Sequence, residues 1–431
     1  MSIQRLFAGL LCMALLASCA ARSAAPAVNT PVPVVSTSMS VPTVVSSPIA
    51  TVPLAPSPTL TPAPTVPSGP PTIVPTQQRG ADPPGPIYYI DGRQQLSRVA
   101  TNGTIEQLTD EIGNLIDFDI SPADSSIAYL LFAAPTKMLL VQVDPQGKKR
   151  TEIATGVFRQ LMFNPSGTQL AFAVDLAGAK AGDTELSLGV WSLPADGGPI
   201  TQLLVNTPPQ TAADGQVIPG LRNAPAAWSP DGKQLLLYTA PDFGPDAPAG
   251  DIGVVGLSVL NMANGTTTEL IPPGGNPRLC LVPVWNSTGD AIYCATPYGV
   301  GDETPALFRI NLADQTQTEL VVRASESGRT TAVQGVWAGN NGITALFTYN
   351  QNDAPVGAAF ERFTSDPSKR TVIASAKIVP EFSVPVLWAP DGRGALYMIS
   401  SEQPALIWQP FDGGQPRVLV QDLVGRTRWG R

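Results

Sequence analysis

Residues 228–238 read WSPDGKQLLLY, and the chain nearly repeats this stretch at 388–397 as WAPDGRGALY. Both copies place a tryptophan and a proline before an Asp-Gly pair, and an apolar run follows. Proline presets the backbone for the first position of a turn, and glycine supplies the positive φ that a tight turn needs. The stretch therefore predicts a β-hairpin, and its recurrence suggests that the hairpin is a repeated unit of the fold.

Six segments align with this motif, and each has a bulky residue before its turn and an apolar run after it. Because the bulky residue recurs at the same place in every segment, we interpret it as packing between repeats and not as part of a catalytic site. The segments are FDISPADSSIAYL (118–130), MFNPSGTQLAFAV (162–174), AWSPDGKQLLLY (227–238), VWNSTGDAIYC (284–294), VWAGNNGITALF (336–347) and LWAPDGRGALY (387–397).

A second hairpin follows each of these segments, so every unit contains four strands. The second hairpins are VDPQGKKRTEI (143–153), LPADGGPITQL (193–203), MANGTTTEL (262–270), LADQTQTEL (312–320), TSDPSKRTVI (364–373) and PFDGGQPRVL (410–419). Four strands at a period of about 50 residues are typical of a β-propeller blade. The sequence therefore predicts an all-β fold, a β-propeller over residues 87–431.

These repeats resemble those of TolB-type propellers, and those in the N-terminal propeller of dipeptidyl peptidases. In both families each blade carries a Ser-Pro-Asp-Gly-Lys/Arg turn followed by an apolar strand. The match is close at 228–233 and 388–393, fair at 163–167, and degenerate at 285–290 and 337–342. The resemblance implies a WD-repeat-like propeller without the peptidase domain, and it implies little about function because propellers host many functions.

The number of blades follows from the count of hairpins. Residues 86–110 contain a hairpin of the second kind, around Asn102-Gly103, but none of the first kind, so there are seven outer hairpins and six inner ones. A closed ring removes unpaired strand edges. We therefore expect residues 423–431 to return as the missing inner strand of the first blade. This gives seven four-stranded blades, and six blades with an irregular N-terminal segment is the alternative.

The N-terminal region is predicted to be a lipoprotein signal peptide over residues 1–18. A short basic start precedes the apolar run LFAGLLCMALLA (6–17), which is too short to span a bilayer as a helix. Leu16-Ala17-Ser18-Cys19 resembles the bacterial lipobox, and the resemblance implies cleavage before Cys19 and a lipid on its sulfur. Residues 19–86 are rich in Pro, Ser and Thr and predict a disordered stalk. The expected location is extracytoplasmic, periplasmic or on the outer surface.

The composition excludes several classes of function. The chain contains no histidine, so it has no Ser-His-Asp or Cys-His nucleophile and no histidine-based metal site. A net charge of −8 argues against nucleic acid as a partner.

Cys280 and Cys294 remain after the signal peptide and the lipidated Cys19 are set aside. A three-residue loop at 287–289 would place these two cysteines diagonally across one hairpin, which leaves a disulfide and two packed thiols both open.

The long insertions point to a binding face. In a four-stranded blade, the links from strand one to two and from three to four lie on one face of the ring, and all other links lie on the opposite face. The long insertions all belong to the second set, which we call the insertion face, and such one-sided insertions usually mark a binding surface. They are 174–184, 205–225, 240–251, 296–304 and 349–356. The candidate binding residues are Asp242, Phe243, Asp246, Asp251, Tyr298, Asp302, Glu303 and Tyr349.

The sequence therefore predicts a lipid-anchored propeller of the cell envelope that binds a protein or a glycan. It is expected to be monomeric, to use no metal or cofactor, and not to be an enzyme. The alternative is a carboxylate-dependent polysaccharide hydrolase or lyase, which needs two carboxylates that face one another.

Overall fold

The computed structural model describes most of the region predicted to be the propeller. The described residues are 81–134, 137–174, 179–181, 184–242, 256–273, 278–296, 305–323, 329–339, 342–351, 354–364, 366–376, 386–399, 404–421 and 423–430. The predicted signal peptide and nearly all of the predicted stalk therefore lie outside the described residues. Within the described ranges, all helix and strand structure is β-strand.

The strands are short and alternate with turns, as the spacing of the hairpin motifs predicts. In chain order they are β1 (Ile87–Asp91), β2 (Leu96–Val99), β3 (Ile105–Gln107), β4 (Asn114–Ile120), β5 (Ile127–Ala134), β6 (Lys137–Val143), β7 (Arg150–Gly156), β8 (Phe158–Phe163), β9 (Gln169–Val174), β10 (Ala179–Ala181), β11 (Thr184–Leu186), β12 (Gly189–Pro194), β13 (Thr201–Val205), β14 (Gln210–Thr211), β15 (Val217–Ile218), β16 (Gly220–Trp228), β17 (Gln234–Asp242), β18 (Gly256–Asn261), β19 (Thr267–Ile271), β20 (Val282–Trp285), β21 (Ala291–Ala295), β22 (Leu307–Asn311), β23 (Gln317–Val321), β24 (Arg329–Gly339), β25 (Gly342–Gln351), β26 (Ala354–Phe363), β27 (Thr371–Ala376), β28 (Val386–Trp388), β29 (Gly394–Ile399), β30 (Ala405–Pro410), β31 (Arg417–Gln421) and β32 (Leu423–Trp429).

These strands form seven antiparallel blades in a ring, so the fold is a β-propeller. From the inner to the outer strand, blade 1 is β32-β1-β2-β3 and blade 3 is β8-β9-β12-β13. Blades 4 to 7 each use four consecutive strands, beginning at β16, β20, β24 and β28. Blade 2 runs from β4 to β7 and is extended by β10 and β11. The prediction of seven blades is confirmed, and the six-bladed alternative is wrong.

Buried apolar residues lie at the junctions between blades. In the described part of the chain they form seven clusters, one for each junction of the ring. One cluster joins Leu130 of blade 2 to Phe172 of blade 3, and another joins Trp408 of blade 7 to Ile87 of blade 1. A blade has two apolar faces that must be covered, and a closed ring covers both faces of every blade.

The tryptophan before the Pro-Asp-Gly turn connects neighbouring blades, as predicted. The indole Nε1–H of Trp228 in blade 4 donates to the carbonyl of Met162 in blade 3 at 3.3 Å. Trp285 of blade 5 repeats this contact with the carbonyl of Ala227 in blade 4 at 3.2 Å. In both cases the acceptor precedes the equivalent bulky residue of the preceding blade. The interpretation of this residue as inter-blade packing is confirmed.

The outer strands contain a repeated β-bulge that holds the blades together. In six blades one residue of the fourth strand is skipped in the pairing with the third strand, and the skipped residue is always leucine or isoleucine. Each such side chain belongs to the cluster shared with the next blade. The bulge turns an apolar side chain toward the neighbouring blade, which is a typical use of this irregularity. The residues are Ile153, Leu203, Leu270, Leu320, Ile373 and Leu419.

The C-terminal strand closes the ring. β32 pairs antiparallel with β1, with Ile87 opposite Trp429 and Tyr89 opposite Thr427. The backbone N–H of Gly430 continues this contact by donating to the carbonyl of Pro86 at 2.8 Å. The predicted closing strand is therefore confirmed.

The chain that enters the ring is also attached, and it is attached to blade 7. Trp408 donates its indole N–H to the carbonyl of Ala81 at 2.8 Å, and the N–H of Ala81 donates to Asp412 at 2.9 Å. Asp82 pairs with Arg417 at 2.7 Å. Residues 81–86, which the sequence assigns to the stalk, thus contact the propeller upstream of its predicted start at 87.

The two cysteines left open by the sequence form a disulfide bond between Cys280 and Cys294. The predicted diagonal placement in the hairpin is wrong, because Cys294 lies opposite Pro283 and Cys280 precedes β20. The backbone before Val282 is not held in the strand ladder, so it can turn toward Cys294. The Cα atoms of the two cysteines are 4.9 Å apart, within the ordinary range for a disulfide.

Removal of the closing strand should open the ring. We expect a soluble chain of residues 81–422 to melt several degrees or more below the chain 81–431, because blade 1 loses its inner strand and the edge of β1 is exposed. Exposed edges template pairing with other chains, so aggregation should rise. Thermal melting and light scattering on both chains test this. An unchanged melting temperature in a monomeric truncated protein would contradict the role given to β32.

Candidate binding face

The predicted insertion 205–225 is fully described and 174–184 is described in part, and each contains a small hairpin that the sequence did not predict. In the first, β10 and β11 pair with each other, and β10 adds to the outer strand of blade 2 through Lys180 and Thr155. In the second, β14 and β15 form a two-stranded sheet between blades 3 and 4. Both hairpins belong to links of the insertion face. The structure thus places folded elements, and not only loops, on this face.

The base of the β14–β15 hairpin is fixed by close backbone contacts. Thr207 and Leu221 exchange two backbone hydrogen bonds, at 3.0 and 2.8 Å. The buried Asn206 accepts a hydrogen bond from the backbone N–H of Asn223 at 2.9 Å. A Cβ atom at Gly220 would lie 1.9 Å from the carbonyl oxygen of Thr207, so only glycine fits there. The hairpin therefore leaves the ring in a defined direction.

This hairpin and the strand ends at its base expose aliphatic side chains. Four large apolar residues of the one insertion have between 39% and 62% of their surface exposed. Two of them form β15 of the hairpin, and the other two lie at the end of β13 and near the start of β16. Single exposed apolar residues are ordinary, but a group of them is typical of an interaction surface. They are Val205, Val217, Ile218 and Leu221, and we call them the hairpin patch. The sequence missed this patch, because exposure of a valine in a loop cannot be read from its neighbours.

Asp242 is the acidic candidate residue that the structure describes. It ends β17, opposite Gly220, and thus lies at the insertion face beside the hairpin. Its side chain is largely buried, and Oδ1 lies 3.6 Å from Nε of Arg222. A carboxylate with this burial and this neighbour helps to hold the end of the long β16–β17 pair.

Tyr349 is the aromatic candidate residue that the structure describes, and it is half-buried in blade 6. Its hydroxyl donates to Oε1 of Glu361, and its ring stacks on Phe347 with centroids 6.3 Å apart. Arg370 pairs with Glu361 at 3.1 Å and lies over the Phe347 ring at 4.8 Å. These contacts hold the Tyr349 side chain against blade 6. The proposal that Tyr349 contacts a ligand stays a prediction.

The other candidate residues lie outside the described residues. The same holds for the lipidation site, and for four of the five carboxylates among the candidate binding residues, which are also the acidic candidates for the hydrolase alternative. Their roles stay predictions. They are Cys19, Phe243, Asp246, Asp251, Tyr298, Asp302 and Glu303.

A different pair of carboxylates lies on the inner strand of blade 2, where Asp117 and Asp119 face the neighbouring inner strands. Asp117 pairs with Arg426 of β32 at 3.1 Å and accepts the backbone N–H of Leu161 at 3.2 Å. Asp119 repeats the pattern with Arg428 at 2.9 Å and the N–H of Phe163 at 2.7 Å. Each carboxylate thus joins blades 1, 2 and 3. These contacts occupy both oxygens of each group, so the arrangement is that of a structural clamp.

Burial raises the pKa of Asp119 above its ordinary value, while the Arg428 guanidinium and the N–H of Phe163 act in the opposite direction. A raised pKa in the folded state means that the ionised carboxylate costs free energy on burial. The contribution of this group to stability is therefore greatest at acid pH and declines as the pH rises through its folded-state pKa. Arg428 limits this cost.

The described residues contain no group of three or more His, Cys, Asp or Glu side chains that could hold a metal ion. In the same ranges, no helix is long and apolar enough to cross a membrane.

Several solved structures are similar to this chain at low sequence identity. The chain is similar to a TolB protein from Agrobacterium tumefaciens, with 14% identity, a TM-score of 0.37, and 79% of this chain and 90% of that chain covered. It is similar to a mutant of puromycin hydrolase, with 14% identity, a TM-score of 0.50, and 80% of this chain and 54% of that chain covered. A third similarity is to an oligogalacturonate lyase in complex with manganese, with 14% identity, a TM-score of 0.39, and coverage of 75% and 73%.

No protein-family model matches the chain, and a search of curated proteins finds no match. The chain spans about half the length of the puromycin hydrolase it resembles. At 14% identity the similarity to puromycin hydrolase speaks for the fold alone. The strand order defines the chain as a seven-bladed β-propeller.

The Arg428–Asp119 pair gives a prediction with a pH dependence. In Arg428→Met the buried carboxylate loses its cation, so its pKa should rise further. The free energy of unfolding near neutral pH should fall by about 3 kcal/mol, as for other broken buried pairs. The deficit should shrink on acidification, because a protonated Asp119 needs no cation. Urea unfolding at several pH values measures both effects.

Arg98→Met is the matched control, since Arg98 pairs with the more exposed Glu106 on the outer edge of blade 1. An exposed pair should cost less than about 1 kcal/mol. Equal losses in the two variants, or a loss in Arg428→Met that does not change with pH, would contradict the clamp.

Proposed function

We propose that this chain is an extracytoplasmic binding module of the cell envelope, and that its insertion face docks a partner protein. The observation that carries the proposal is the hairpin patch. It consists of exposed aliphatic side chains on a hairpin and on the strand ends at its rigid base. Burying exposed aliphatic surface drives protein association, and a protein partner can supply matching apolar surface. A glycan, which offers mainly hydroxyl groups, fits such side chains less well.

The acidic charge of the insertions predicts the charge of the partner's contact surface. Their sequences contain nine acidic residues against Lys180 and Arg222. We therefore expect an apolar contact on the partner surrounded by basic residues, since complementary charge speeds encounter and fixes orientation. The acidic residues are Asp175, Asp183, Asp214, Asp242, Asp246, Asp251, Asp302, Glu303 and Asp353.

The Cys280–Cys294 disulfide supports the extracytoplasmic location. Disulfides persist in oxidising compartments and are rare in the cytosol. The lipobox resemblance at 16–19 adds a lipid anchor on Cys19 to this proposal.

In Cys19→Ser the protein should lose its lipid and move from the membrane fraction to the soluble fraction. Metabolic labelling with a fatty acid and cell fractionation, compared with the unaltered chain, measure this.

The point at which the chain enters the ring is compatible with both parts of the proposal. Ala81 bonds to Asp412, which lies in the turn between the third and fourth strands of blade 7. That turn belongs to the face opposite the insertions. Ala81, the first described residue, therefore lies on the face opposite the insertions.

The hairpin patch can be tested against a control of equal exposure. Ile218 is 51% exposed on the hairpin, and Val418 is 52% exposed on the outer strand of blade 7. A photo-crosslinking residue at each position, introduced in the native cell, should give a discrete crosslinked partner at 218 and none at 418. Ile218→Asp should weaken binding of that purified partner at least tenfold. Val418→Asp should leave the affinity unchanged.

The salt dependence of the measured affinity separates the apolar contact at the hairpin patch from the charge attraction between the acidic insertions and a basic partner. Affinity should fall as salt rises if the partner is basic. Crosslinks that appear equally at 218 and 418, or an Ile218→Asp variant with unchanged affinity, would show that the hairpin patch is not the docking surface.

A further inference from the structure

A groove lies on the side of the ring, between blades 2 and 3 and away from the hairpin patch. Its volume is about 440 Å³, and its wall contains polar and apolar surface in nearly equal parts. Blade 2 and its extension contribute Ile153 and Leu186, and blade 3 contributes Trp191, Leu193 and Ile200. An open groove with aliphatic and aromatic side chains in its wall can receive alternate side chains of an extended peptide.

The side chains that line the groove are fixed by contacts with the core between blades 2 and 3. Trp191 is largely buried, and its indole N–H donates to the carbonyl of Ser187 at 2.9 Å. Leu193 is fully packed in the cluster between blades 2 and 3, and Ile153 and Ile200 pack against the same cluster. The apolar floor is thus preformed, which lowers the entropy cost of binding.

One side of the groove is an open strand edge. β7 is the fourth strand of blade 2, and Ile153 and Glu152 on this strand line the groove. β10 already adds to this edge, but it pairs only at Thr155. Within the described residues, the edge from Arg150 to Ala154 has no strand partner. The outer edge of blade 2 therefore accepts an added strand, beside a stretch of the same edge that has no strand partner among the described residues.

We propose that this groove binds an extended peptide segment of a partner protein. The segment would add to β7 as a further strand, next to the position where β10 pairs. Its backbone would pair with the edge from Arg150 to Ala154. Alternate apolar side chains would enter the groove against Ile153, Trp191 and Ile200. In strand addition of this kind, main-chain hydrogen bonds give affinity and pockets for alternate side chains give specificity. The site is independent of the docking surface proposed for the insertion face.

The blades offer a matched control for this site. Ile153 is the bulged residue of β7, and Ile373 is the bulged residue at the same position of β27 in blade 6. Both are partly buried and pack toward the next blade. Blade 6 has four strands and no added strand in the described chain. Ile153→Ser and Ile373→Ser therefore remove the same kind of packing, but only the first alters the groove.

The experiment uses a phage-displayed library of random linear peptides, selected on the purified chain 81–431. We expect enriched peptides with apolar residues at alternate positions. Their affinity, measured by fluorescence anisotropy, should fall at least tenfold in Ile153→Ser and stay unchanged in Ile373→Ser. N-methylation of alternate backbone amides on the edge that faces β7 should abolish binding, and methylation of the other edge should not. Equal thermal melting of the two variants checks that both remain folded.

Three results would overturn the proposal. The first is a selection that enriches no alternating peptide. The second is a peptide whose affinity is equally affected, or unaffected, by the two serine variants. The third is a peptide that binds the groove but tolerates N-methylation on both edges, because side-chain binding alone would then explain it.

Discussion

The antiparallel pairing of β32 with β1 is the contact on which the ring depends. Six of the blades are built from neighbouring segments of the chain, but blade 1 takes its inner strand from the C-terminus. That strand also brings Arg426 and Arg428 to the carboxylates of blade 2. Trp429 meets Trp408 of blade 7 edge to face, with centroids 5.8 Å apart. A single strand therefore ties three blades together, and it contributes Leu423 and Trp429 to the apolar cluster between blades 7 and 1.

The repeated architecture could be predicted because the same local chemistry recurs in every unit. Pro-Asp-Gly turns and the aromatic residue before them specify the inner hairpin, and their spacing gives the number of blades. The missing inner hairpin near the N-terminus was enough to predict the closing strand. The Thr-Glu-Leu pattern of the outer hairpins was visible as well, for example at 268–270 and 318–320. Its structural meaning, a bulged leucine turned toward the next blade, needed the strand register.

The features that were missed are those set by contacts between distant residues. The sequence could not show that Arg428 contacts Asp119, because these residues are 309 positions apart in the chain and meet only when the ring closes. It placed Cys280 in a regular hairpin, whereas the chain before Val282 departs from the strand ladder. It identified 205–225 as an insertion but not the short hairpin within it. Two-residue strands have no detectable periodicity, and their stability comes from the ring that holds their base.

The closure of blade 1 has a consequence for the order of folding during synthesis. β1, β2 and β3 are made first, yet their sheet lacks its inner strand until the last residues of the chain exist. Such a pairing has one of the largest sequence separations possible, and contacts of this kind form late because the intervening loop must first be ordered. The first three strands must therefore wait with an unpaired edge while the middle blades assemble. A chain whose synthesis stops early would keep that edge exposed, so incomplete products would be recognisable to the cell by their failure to close.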